Sequence, residues 1–117
     1  MTRVAPELAV DDLAASLSHY EDSLGFRMVM MMPEGDHAIV ERDDIALHLY
    51  RDDRRAQAQS IHVFVNGLDQ LFAELAQKGA RVTHGIARKP WGNREFRIAD
   101  PSGNTIKFTE PVAELEG

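Results

Sequence analysis

The order of elements in the first half of this chain returns in the second half. The segment "APELAV" alternates and is rich in apolar residues, the pattern of a half-buried strand. "DDLAASLSHYEDSLG" follows, with Leu13, Leu17, Tyr20 and Leu24 on one helical face. Asp11 or Asp12 is placed to cap this helix and Gly25 to close it. Three strand candidates come next, "FRMVMMM", "HAIVE" and "IALHLY", divided by Pro33-Glu34-Gly35 and by Asp43-Asp44. The series then restarts. "SIHVFV" reads as a strand, and "GLDQLFAELAQKG" as a helix with Leu68, Leu71, Phe72 and Leu75 inward and Gly79 at its end. "ARVTHG", "REFRIAD" and "NTIKFTE" supply three further strands.

The offsets between the halves are nearly constant. Val10 to Val65 and Leu13 to Leu68 are both 55 positions apart, and Gly25 to Gly79 is 54. Leu47 to Ile106 is 59, the excess being assigned to the longer loop around Trp91. A unit of this length that occurs twice is a duplication and not a solenoid array. The predicted fold is therefore α+β, one domain of two tandem β-α-β-β-β modules with curved mixed sheets. Module one takes residues 1–50, the polar linker "RDDRRAQAQ" residues 51–59, module two residues 60–111, and a short tail residues 112–117. Each module leaves sheet edges and a concave face that need covering.

Composition narrows the function. With no cysteine, the chain has no disulfide frame, thiolate zinc site or cysteine nucleophile. A formal charge of −6 disfavours nucleic acid, which calls for basic patches, and suits cationic partners. "MTRVAPELAV" has no long apolar run, and no stretch reaches membrane-spanning length, so the expectation is a soluble cytoplasmic protein without membrane partners.

Three stretches carry a family resemblance over nearly the whole chain: "PELAVDDLAASLSHYEDSLGF", "VNGLDQLFAEL" and "PWGNREFRIADPSGNTIKF". They resemble the vicinal-oxygen-chelate superfamily of glyoxalase I, extradiol dioxygenases and bleomycin resistance proteins. The Trp-Gly, Arg-Glu-Phe and Asp-Pro-x-Gly-Asn elements look most like the bleomycin resistance branch. Enzymes of the superfamily hold a divalent metal with one His or Glu from each of four strands. By resemblance those positions fall on Ala5, His48, Ser60 and Lys107, which is one donor in four and a cation where a carboxylate is needed. A one-residue slip brings His62 near, because residues 60, 62 and 64 share a strand face.

The resemblance accordingly implies a homodimeric binder that sequesters a cationic, amphipathic, bleomycin-like molecule in interface grooves, without catalysis, metal or other cofactor. Isologous symmetry gives two equivalent grooves. The residues carried over as groove lining are Trp91, His62, His48, Ser60, His37, Met30, Glu7 and Lys107. Aromatic walls supply stacking and acidic residues attract the cation. Glu7 is expected to face the groove and to pair internally with Lys107, since an unpaired buried charge is costly. His19 and His84 read as surface residues, and Arg94 as fixing either the turn or a neighbouring carboxylate. The alternative is a metal-dependent enzyme of the same fold, a glyoxalase-like lyase or isomerase, or a dioxygenase.

Overall fold

A computed structural model describes residues 5–53 and 57–111. The beginning of module one, the centre of the linker and the tail thus lie outside the described residues. The first sheet holds β1 (Glu7–Val10), β2 (Arg27–Met31), β3 (His37–Arg42) and β4 (Ile45–Arg51), in the order β1-β4-β3-β2. The second holds β5 (Ser60–Phe64), β6 (Arg81–Arg88), β7 (Arg94–Ala99) and β8 (Thr105–Glu110), in the order β5-β8-β7-β6. In each, three strands form an antiparallel meander, and the module's first strand lies parallel beside its last. A parallel neighbour needs a crossover, which the helices α1 (Leu13–Ser18) and α2 (Leu68–Gln77) begin. The duplicated α+β architecture is as expected from the sequence.

The helix faces also match. Leu13, Leu17, Tyr20 and Leu24 are buried, as are Leu68 and Leu75, while Leu71 and Phe72 pack half-buried against the core. Asp12 caps α1 by accepting the Ala15 N–H at 3.0 Å. After Ser18 the helix widens into a π-helical turn, His19–Ser23, which still carries Tyr20 inward. Gly25 then adopts φ 73°, a left-handed conformation open to glycine at little cost. One strand runs further than its sequence suggests. Gly85 reads as a stop, yet β6 continues to Arg88, with register shifts between Val82 and His84 and between His84 and Ala87. An edge strand tolerates a glycine inside a bulge, since one of its sides has no ladder to break.

Alternation assigns the two faces of each sheet. Leu8, Leu49 and Ala38 form one row across the first sheet, and Ile61, Ile106, Ile98 and Val82 one across the second; both rows face the core. Phe96 joins them, set edge-on to Phe72 and stacked on Phe108 with centroids 5.1 Å apart in both cases. Truncating such a ring to alanine costs about 3–5 kcal/mol.

Two locks join the modules at equivalent places. The guanidinium of Arg42 forks onto Glu74 of α2 at 2.7 and 2.8 Å and also reaches the Leu24 carbonyl at 2.8 Å. The hydroxyl of Tyr20 donates to the buried Asp100 at 3.0 Å. Glu74 stands 54 positions after Tyr20, and Asp100 stands 58 after Arg42, so each partner in one lock has its counterpart in the other. The Asp100–Asn104 turn extends the second lock. Buried Asn104 donates to the Ala9 carbonyl at 2.9 Å and accepts from the Gln59 N–H at 2.8 Å. The Gln59 side chain in turn accepts from the Ala9 N–H and donates to the Glu7 carbonyl. The end of the polar linker is therefore part of the module seam.

Candidate functional site

The face of each sheet opposite the core is open, and the register lines up equivalent residues on the two. On the first sheet Glu7, His48, Ile39 and Met30 form a row from edge to edge. On the second the row is His62, Lys107, Arg97 and His84. Glu7 corresponds to His62 and His48 to Lys107, at 55 and 59 positions apart, matching the repeat offsets.

On the first open face, His37 Nε2 lies 3.2 Å from His48 Nδ1, the rings meet edge to face at 5.3 Å, and Tyr50 lies beside His37 at 6.5 Å. The three rings form a half-buried platform with exposed Glu7 next to His48. Met30 is 48% exposed and stands on the edge strand two strands away. All of Met28–Met32 is exposed, so the methionine run flanks the platform and is not core.

On the second open face, exposed His62 stacks on Phe64 with centroids 4.5 Å apart and hydrogen-bonds the Thr109 hydroxyl. Its pKa is lowered, first by burial and then by the Lys107 cation. Ser60 begins the same strand, exposed. Lys107 faces Glu95 at 3.8 Å, and Lys89 and Arg97 approach the same carboxylate at 3.5 Å each. The expected pairing of Glu7 with Lys107 is thus not what the fold makes. The two belong to different sheets, and the lysine shares the nearly buried Glu95 with Lys89 and Arg97.

Trp91 is 65% exposed at the tip of the β6–β7 hairpin. The tip is held by Lys89 N–H to the Asn93 carbonyl at 2.7 Å and by the Arg88 guanidinium to the Gly92 carbonyl at 2.7 Å. The indole is presented to solvent and does not brace the hairpin. Arg94 clamps carboxylates as expected, reaching Asp69 at 2.7 Å and Glu110 at 3.0 Å. His84 is exposed as expected, whereas His19 is half-buried, and burial lowers its pKa.

The structure therefore groups His37 with His48 and Glu7, and His62 with Lys107, and leaves Met30 and Trp91 at the margins. Glu95, Arg97, Lys89 and Tyr50 join these groups without having been singled out as site residues. Arg97 was within reach, because alternation in "REFRIAD" places Glu95 and Arg97 on one strand face. A cleft of about 470 Å³ lies elsewhere, along the module seam, between Leu24, Phe26, Ile45, Val63 and Leu75. An open sheet face becomes a groove only when a second surface covers it.

The positions that the resemblance assigns to the metal ligands of related enzymes do not carry a fitting donor set. Ala5 and Ser60 offer no imidazole or carboxylate, and Lys107 brings a cation held by Glu95. Among the described residues, no three His, Cys, Asp or Glu side chains converge as a metal site.

Comparison with known proteins gives the setting. The family model described as the Glyoxalase/Bleomycin resistance protein/Dioxygenase superfamily matches residues 2–108. The bleomycin resistance protein of Geobacillus stearothermophilus is 24% identical, over 96% of this chain and 98% of that one. Among solved structures, the bleomycin-binding protein of bleomycin-producing Streptomyces verticillus, complexed with copper(II)-bleomycin, is similar at TM-score 0.82 and 30% identity. That match covers 96% of this chain and 98% of the other. Lactoylglutathione lyase from Agrobacterium tumefaciens shares the fold at TM-score 0.77 and 22% identity, covering 100% and 98%.

Proposed function

We propose a function from one premise: the chain belongs to the Glyoxalase/Bleomycin resistance protein/Dioxygenase superfamily. It acts as a binder that sequesters an amphipathic small molecule of the bleomycin type, without chemical conversion, in a groove between open sheet faces. The observation that carries this reading is the pair of equivalent positions His48 and Lys107. One belongs to an aromatic platform, and the other is a cation tied to Glu95 where an enzyme of the family needs a donor.

Each wall has a physical task. The His37, His48 and Tyr50 rings offer a stacking surface for a planar heteroaromatic group. Glu7 supplies a negative charge for a cationic substituent. Met30 on the exposed edge strand adapts its shape to an irregular ligand, and the Phe64–His62 stack and Ser60 line the opposite wall. A homodimer brings the first sheet of one subunit over the second sheet of its partner, which makes two equivalent grooves. Mass action then protects the cell in proportion to the protein present, and no residue needs a tuned pKa. The modules fall at residues 1–50 and 60–111, with 51–59 joining them.

Trp91 provides the test, because it is the only tryptophan in the chain. Titration with metal-free bleomycin is expected to change its emission saturably at about one drug per subunit, by the two-groove symmetry of a dimer. A flat titration together with an unmoved melting temperature would refute the antibiotic reading. Stoichiometric Ni, Zn, Fe or Mn in the purified protein, lost in His48→Ala, would favour the enzyme instead.

A further inference from the structure

We propose that the open face of the second sheet carries a seat for a compact oxyanion, a carboxylate or phosphate group borne by the ligand, formed by Lys107, Arg97 and Lys89 around Glu95. This rests on the reading of the open faces as ligand walls, and it adds a second charge to the ligand: a cation toward Glu7 and an anion toward Lys107.

The charge count is the first support. A single carboxylate, on a residue 4% exposed, meets three cationic side chains at 3.5 to 3.8 Å. Among the described residues, neutralising one of them leaves two positive charges on this face, in a chain whose formal charge is −6. Cross-strand geometry is the second. Lys107 and Arg97 are direct neighbours in the β7–β8 ladder, with His62 and His84 beyond them on either side, so the whole row is basic. Like charges set directly opposite weaken a sheet, so only the shared Glu95 carboxylate offsets the repulsion within this row. The equivalent row of the first sheet, with Glu7, His48, Ile39 and Met30, shows that the fold does not demand it.

Access is the third support. The side chains of Lys89, Arg97 and Lys107 are 32%, 36% and 29% exposed, desolvated enough to strengthen their field and open enough to be reached. All three lie within 3.8 Å of the Glu95 carboxylate, which restrains them and so reduces the freedom lost on binding. A planar guanidinium beside two ammonium groups suits an oxyanion that offers two or three oxygen atoms at once, as a carboxylate or a phosphate group does.

Calorimetric titration of the full chain with inorganic phosphate, at constant ionic strength with chloride as the replaced anion, tests the seat. Saturable binding is expected, and Lys107→Met and Arg97→Met should each weaken it about ten-fold. Glu95→Gln should tighten it about ten-fold by removing the competing carboxylate. If that variant fails to fold, the two methionine variants decide. A parallel titration with acetate separates the sources: comparable occupancy assigns a carboxylate seat, and preference for phosphate a phosphate seat. Absence of saturable binding, an equal response to chloride, or unchanged affinity in both methionine variants overturns the proposal. Phosphate binding without bleomycin binding upholds the seat and removes the antibiotic reading. Bleomycin binding without phosphate binding overturns the seat and leaves the antibiotic reading standing.

Discussion

The two module locks occupy equivalent positions and use different chemistry. The Arg42–Glu74 lock is an ion pair with a quarter to a third of each side chain in solvent. The Tyr20–Asp100 lock is a buried hydroxyl-to-carboxylate hydrogen bond, continued into the turn by Asn104 and Ser102. The open faces differ in the same spirit: one row mixes an acid, an imidazole and two apolar side chains, and its counterpart is basic throughout. The comparison teaches that the duplicated fold fixes where a side chain stands and leaves its chemistry free. An ion pair and a hydroxyl-to-carboxylate hydrogen bond hold the same seam, and unlike open faces stand on equivalent strands.

The two locks should differ most when one carboxylate is removed from each. Asp100→Ala strands the Tyr20 hydroxyl and the Ser102 and Asn104 N–H groups in a buried site, at a cost of about 3–5 kcal/mol. Glu74→Ala, at a partly solvated pair, costs about 1 kcal/mol. Urea unfolding of both variants measures the gap, and equal losses would contradict the distinction between buried and screened locks.

The locks should also fail at opposite ends of the pH scale. The Arg42 guanidinium, with Lys78 assisting, holds Glu74 down at about 2. A depressed carboxylate stabilises the fold above its unfolded pKa, near 4.3. That contribution is lost as pH falls from there toward about 2. Burial, reinforced by Asp100, raises the Tyr20 pKa, so the phenol stays neutral in the folded chain. A raised group stabilises the fold below its unfolded pKa, about 10, and above it stability falls by about 1.4 kcal/mol per pH unit. Chemical unfolding across pH should show both limbs. Tyr20→Phe should flatten the alkaline limb, and Glu74→Gln should flatten part of the acid limb by about 1 kcal/mol after screening.

Much of this fold was legible in the sequence because its signals are local. Helical spacing placed Leu13, Leu17, Tyr20 and Leu24, and alternation placed the strands of both sheets. Gly85 misled because a strand edge can absorb a glycine in a bulge, which no local pattern announces. The locks were not legible: Tyr20 and Asp100 lie 80 positions apart, and only the packing of the modules brings them together. The same holds for Lys107. Its place on a face follows from alternation, but its partner, Glu95 and not Glu7, depends on which strands are neighbours.

The smallest effect concerns the open faces. Lys107→Met removes one member of a like-charged cross-strand pair and one of three cations around Glu95. These changes oppose each other, so stability should move by no more than about 0.5 kcal/mol, as at most surface positions. A thermal scan checks this, and a large loss would recast Lys107 as part of the folding frame and not of the binding wall.

The proposed role is to hold a ligand and leave it unchanged. Its most direct test mixes bleomycin with increasing amounts of the protein, follows drug-induced DNA cleavage, then denatures the protein and weighs the recovered drug by mass spectrometry. Protection is expected to be complete at about one subunit per drug, as two equivalent grooves in the proposed dimer would give, with the drug recovered intact. Protection by far less protein than drug, or a drug returned with an altered mass, would contradict it.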